Sequence, residues 1–85
     1  MIIEYSSLFE RSYRKLPDRI KRIAEKKEEI FRKDPFHPSL KSHKLHGKFS
    51  DFYAFSLDQK YRIIFKILNK NIFRFYSAGG HDIYE

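Results

Sequence analysis

Cysteine is missing from the 85 residues of this chain. That excludes a disulfide framework, a thiolate metal site and a cysteine nucleophile. No apolar run approaches the roughly 20 residues that a membrane-crossing helix needs. The opening Met1-Ile2-Ile3-Glu4-Tyr5 lacks the basic-then-apolar plan of an export signal. These absences predict a cytosolic chain without a membrane partner. With three glycines and three prolines, there is no glycine-rich phosphate loop, repeat or low-complexity linker. No serine-histidine-aspartate plan has a nucleophile context, and Pro17 splits what could otherwise pass for a helix-turn-helix.

Aromatic residues and positive charge are abundant. Nine Phe and six Tyr can supply buried area in a chain too short to close two cores. One domain spanning 1–85 is therefore expected. The formal net charge of +7 suits a polyanion, RNA or DNA, or an acidic protein. Solubility alone is the plainer reading of the same charge.

The pattern changes near Asp34-Pro35, with helical spacing before it and strand spacing after it. Met1 to Tyr5 reads as a short strand. Ser7 and Glu10 have capping-box spacing, and Phe9, Tyr13 and Leu16 then share one helical face. Pro17 suits the start of a second helix, which carries Ile20, Ile23, Ile30 and Phe31 on one side. Its other side, with Arg19, Lys21, Arg22, Lys26 and Lys27, reads as a solvated face. Asp34-Pro35 ends it, because the residue before proline is pushed out of the α region.

Residues 36–50 read as a loop holding His37, His43, His46, Lys41, Lys44 and Lys48, with no acidic residue. Phe52 to Leu57, Tyr61 to Leu68 and Ile72 to Ser77 alternate as strands. Asp58-Gln59-Lys60 and Asn69-Lys70-Asn71 read as turns, the asparagines tolerating left-handed backbone. Gly79-Gly80 breaks the last strand. The predicted class is α+β, with two N-terminal helices packed on one face of a small, mainly antiparallel twisted sheet. Met1 to Tyr5 joins it as an edge or central strand. The opposite face is expected to be open and basic, carrying Arg62, Lys66 and Arg74.

Histidine titrates near neutrality and can carry protons in RNA cleavage. His81 follows two glycines and precedes an acid, so it suits either that task or a plain surface position at the terminus. His37, His43 and His46 lack the companions of a metal site, so no metal is expected. Arg62 suits a bidentate grip on phosphate or a structural bridge to Asp58 or Asp51. Tyr84 suits stacking on a base or pinning the C-terminus to the core.

Several segments resemble the RelE/ParE superfamily of toxins. They are Phe9-x-x-x-Tyr13-x-x-Leu16-Pro17 with its charged helix to Asp34-Pro35, Leu45-His46-Gly47, Phe52-Tyr53 and Tyr61-Arg62-Ile63-Ile64-Phe65. The ending Ser77-Ala78-Gly79-Gly80-His81-Asp82-Ile83-Tyr84 is similar to the histidine-bearing ends of YafQ-type members. The resemblance implies a ribosome-dependent mRNA endonuclease held inactive by an acidic antitoxin, without a metal or cofactor. It implies catalytic roles for His81, His43, Arg62 and Asp58. RNA contacts then fall to Lys44, Lys48, Lys66, Arg74, His46 and Tyr84. Ala54, Phe55 and Ser56 stand where related toxins carry strand lysines or a further histidine, so the site is leaner. A gyrase-inhibiting ParE-like protein and an inactive binding module remain as alternatives.

Overall fold

The computed structural model describes residues 1–80. Strand β1 (Ile2–Tyr5) leads into helix α1 (Ser7–Arg14) and helix α2 (Asp18–Lys33). Then come β2 (His43–Lys44), β3 (Tyr53–Ser56), β4 (Arg62–Asn69) and β5 (Ile72–Gly79). The sheet order is β1-β5-β4-β3-β2. β1 is an edge strand parallel to β5, and the other pairings are antiparallel.

The cap of α1 is Ser6 and not Ser7. Ser6 is extended (φ −72°, ψ 161°) and its Oγ accepts from the Phe9 amide at 2.9 Å. The same hydroxyl donates to the Tyr76 carbonyl at 2.7 Å. An N-cap needs extended backbone ahead of the first turn, and Ser7 is already helical. At α2, Pro17 holds the cap position and its carbonyl accepts from Ile20 and Lys21.

Both helices cover one face of the sheet. Phe9, Leu16, Ile20, Ala24 and Phe31 meet Phe55, Ile63, Phe65, Phe73 and Phe75 in the main core. Phe31, fully buried, lies 5.2, 4.9, 5.4 and 5.1 Å between ring centroids from Phe55, Phe65, Phe73 and Phe75. The last three pairs are edge-to-face, which adds attraction to the burial of large apolar area. The residues 36–50 are more structured than a plain loop. They hold β2 and two short 3-10 turns, Pro38–Leu40 and Gly47–Phe49.

Those turns change the second face of the sheet. Leu45 folds against Ala54 and Ile64, with Phe49 and Phe52 packed alongside, as a small second core. The expectation of an open second face is corrected at this end, because an uncovered Ala54–Ile64 row would leave apolar area in water. A bulge makes Tyr76 the extra residue of β5 and sets its ring 4.9 Å from Phe52. The β4–β5 turn also differs from expectation. Asn69 acts through its side chain, whose Oδ1 accepts from the Asn71 and Ile72 amides at 2.8 and 3.0 Å. Among the described residues, the only non-glycine with positive φ is Lys41. Nor does Gly79 break the last strand, since it still pairs with Arg62. Ser12 Oγ accepts from the Ala78 amide at 3.0 Å and ties this end of β5 to α1. No helix among these residues is long and apolar enough to cross a membrane.

Candidate functional site

His43 sits on the short edge strand β2, opposite Ala54, which in turn lies opposite Ile64. Arg62 lies opposite Ser56, two residues along from Ala54. Side chains alternate along a strand, so His43, Ala54, Ser56, Ile64 and Arg62 share the face turned away from the helices. Two strand spacings and one two-residue step put the His43 and Arg62 Cα atoms about 12 Å apart. That separation can be filled by the two side chains and one bound nucleotide.

The His43 ring is exposed but oriented. Its Nδ1 lies 3.0 Å from the Lys41 carbonyl oxygen. A carbonyl only accepts, so Nδ1 carries the proton in this contact. In the neutral ring Nε2 then holds the lone pair. The orientation depends on Lys41, whose left-handed backbone (φ 53°, ψ 40°) ends the first 3-10 turn.

Asp58 is held by the β3–β4 turn. Its Oδ1 accepts from the Lys60 and Tyr61 amides at 2.8 and 2.7 Å, and its Oδ2 lies 3.5 Å from Arg19 Nη1. The Tyr61 amide above all holds its carboxyl below the usual value; burial opposes this, and the Lys60 amide and the Arg19 guanidinium add to the lowering. This carboxylate is a turn cap with a cation beside it, a poor arrangement for taking protons near neutrality.

The remaining cations divide by location. Lys44, His46 and His43 border a shallow cavity of about 350 Å³ above Leu45 and Phe49. Lys48 stands 5.6 Å from the Phe49 ring centroid, and Lys66 the same distance from that of Phe52. Arg74 pairs with Glu4 of β1 at 3.3 Å, at the opposite side of the sheet from β2. Arg62, Lys66 and Arg74 share one face, where Lys66 lies directly opposite Arg74 and Arg62 stands four residues along β4 from Lys66. His37 is a loop residue, its Nδ1 accepting from the Ser39 amide at 3.1 Å. His81 and Tyr84 lie outside the described residues.

Sequence reasoning treated Lys27 as part of a solvated face and gave Lys41 no role beyond the charge of the basic stretch. In the structure both border the cleft that contains Arg62. Nothing in the periodicity of α2 distinguishes Lys27 from its neighbours, since its partners come from a distant turn.

No family model and no curated protein sequence matches the chain. Solved structures do match. YafQ from E. coli strain BL21(DE3) superposes with a TM-score of 0.79 at 18% identity, covering 93% of this chain and 91% of that one. A YoeB/ParE toxin from Agrobacterium tumefaciens gives 0.80 at 12% identity, with coverages of 95% and 99%. A chain of the YoeB–YefM complex from Staphylococcus aureus gives 0.76 at 13%, with coverages of 95% and 97%. Two helices ahead of an open, mostly antiparallel five-stranded sheet are thus the fold of the RelE/ParE-type toxins. Within that fold the chain is similar to the YafQ and YoeB/ParE structures over nearly its whole length.

Proposed function

We infer that the chain is the toxin of a type II toxin–antitoxin pair and cuts mRNA in the ribosomal A site. The observation that carries this reading is the placing of His43. Its ring is fixed by the Lys41 carbonyl and shares a sheet face with Arg62, on a toxin fold. His43 Nε2 takes the proton from a ribose 2′-hydroxyl, and the 2′-oxygen attacks phosphorus. The bond from phosphorus to the 5′-oxygen breaks, leaving a cyclic phosphate and a 5′-hydroxyl. His81 supplies the proton to the leaving oxygen, and Arg62 neutralises the charge that builds on the phosphate. The step consumes no water and needs no further reactant. Lys44, Lys48 and His46 line the approach. Asp58 supports this site by holding the turn from which Arg62 departs.

The proposed partner in the resting state is an acidic antitoxin, which suits a chain of net charge +7. Structures similar to this one include toxin–antitoxin complexes, DinJ–YafQ and YoeB–YefM.

Primer extension on a reporter mRNA in a translating extract tests the reading. The parent is expected to cut within codons only during translation. Removing either histidine is expected to slow cutting by about 10²–10⁴-fold, the usual worth of a proton-transfer group. If His43→Ala and His81→Ala cut as fast as the parent, the assignment fails. If the parent leaves the message intact and translation proceeds, the nuclease reading fails altogether.

A further inference from the structure

A cleft of about 430 Å³ opens beside the end of β3 that β2 does not cover. Three cations line it, each from a different part of the chain: Lys27 of α2, Lys41 of the left-handed turn and Arg62 of β4. Among the described residues, the acid lining it is Asp58, whose oxygens already meet two backbone amides and Arg19. The described lining therefore carries a net positive charge. Like charges repel, and an anion placed among Lys27, Lys41 and Arg62 offsets that repulsion.

A second feature points the same way. Lys41 has φ 53°, a region that glycine enters without the steric cost a side chain brings. Retaining a lysine there puts its side chain at the rim of the cleft. Lys27, half-buried, is held by donating from Nζ to the Ser39 carbonyl at 2.9 Å. An ammonium has three donors, so two remain for an anion. The Ser56 hydroxyl lines the same space and offers a further donor.

We propose that this cleft is a second phosphate subsite, in which Lys27, Lys41 and Arg62 bind an RNA backbone phosphate next to the one being cut. It rests on the nuclease reading for the identity of the strand. Arg62 belongs to both subsites, and the Lys41 carbonyl orients His43 while its side chain meets the neighbouring phosphate. Binding in the cleft thereby steadies the turn that aims the proton acceptor.

The test measures binding of a fluorescent single-stranded oligodeoxynucleotide against salt concentration. Lacking 2′-hydroxyls, it binds without being cut. The double variant Lys27→Gln/Lys41→Gln is expected to lower the slope of log K against log salt by about 0.7, the loss of one phosphate contact on a single strand. The Lys27→Arg/Lys41→Arg variant is expected to keep the parental slope. Lys70→Gln, in the distant β4–β5 turn, leaves it unchanged. An unchanged slope in the glutamine variant, or an equal fall with Lys70→Gln, overturns the subsite. So does saturable binding of inorganic phosphate alone in the cleft without any change in slope, which would mark a free-anion site. Cutting that persists with the slope unchanged sinks the subsite and spares the nuclease. A lowered slope in a protein that never cuts does the reverse.

Discussion

A carboxylate that caps a turn behaves differently in acid from one that handles protons, and Asp58 is of the first kind. Its amide and arginine partners favour the charged form, so its folded pKa lies below the 3.8 of the free group. Stability from this group is therefore full above about pH 4 and is lost as pH falls through the lowered folded value. Asp58→Asn keeps an acceptor for the turn but no charge. The parent is expected to outlast the variant in urea near pH 7, and the gap is expected to narrow below about pH 4. Unfolding midpoints that differ equally at both pH values would show that the charge contributes nothing. His43 depends on its neighbourhood in another way. The sequence supplies a histidine, and the backbone carbonyl two residues earlier decides which ring nitrogen faces outward.

Among the elements, α1 shows how one cap ties local to distant structure. Ser6 closes the first turn through Phe9 and also reaches Tyr76, 70 residues away. Ser6→Ala is expected to cost about 1–2 kcal/mol, as loss of a cap does. Ser7→Ala, at an exposed helical position, is expected to stay within about 0.5 kcal/mol. Urea melts of the two variants settle which serine is the cap, and equal losses would contradict the geometry. At the other end of the sheet, β2 is only two residues long, yet it carries His43 and delivers Leu45 to the second core. An edge strand so short offers little backbone for unwanted pairing.

At the scale of the molecule, two apolar clusters share the load unequally. The main core joins both helices to four strands, three of which meet the Phe31 ring, while the second is a patch around Leu45, Ala54 and Ile64. Phe31→Ala is expected to remove about 3–5 kcal/mol, against a total stability of about 5–15 kcal/mol for a small domain. Leu45→Ala is expected to cost less, near the lower end of about 2–5 kcal/mol, because its cavity opens at the surface. Thermal melts followed by circular dichroism rank the two, and a larger loss for Leu45→Ala would mean that the second face holds the sheet together. The distribution of charge is equally uneven. The cleft at the open end of β3 brings Lys27, Lys41 and Arg62 together, and at the other edge of the sheet Arg74 meets Glu4.

By itself the sequence determined the class of the fold: two amphipathic helices, then alternating strands rich in Phe and Ile, with the breaks marked by Pro17, Pro35, Asp58 and Asn69. Periodicity and turn chemistry are local properties, and a chain can be read for them residue by residue. Phe31 and Ile20 were legible as core for the same reason. Tertiary structure alone decided that Ser6 is the cap, that residues 36–50 supply an edge strand and a second core, and that Lys27 and Lys41 meet Arg62. These outcomes depend on partners brought together by the sheet from separate segments. Their positions are set by strand register and by a left-handed turn at Lys41, neither of which leaves a periodic mark in the sequence.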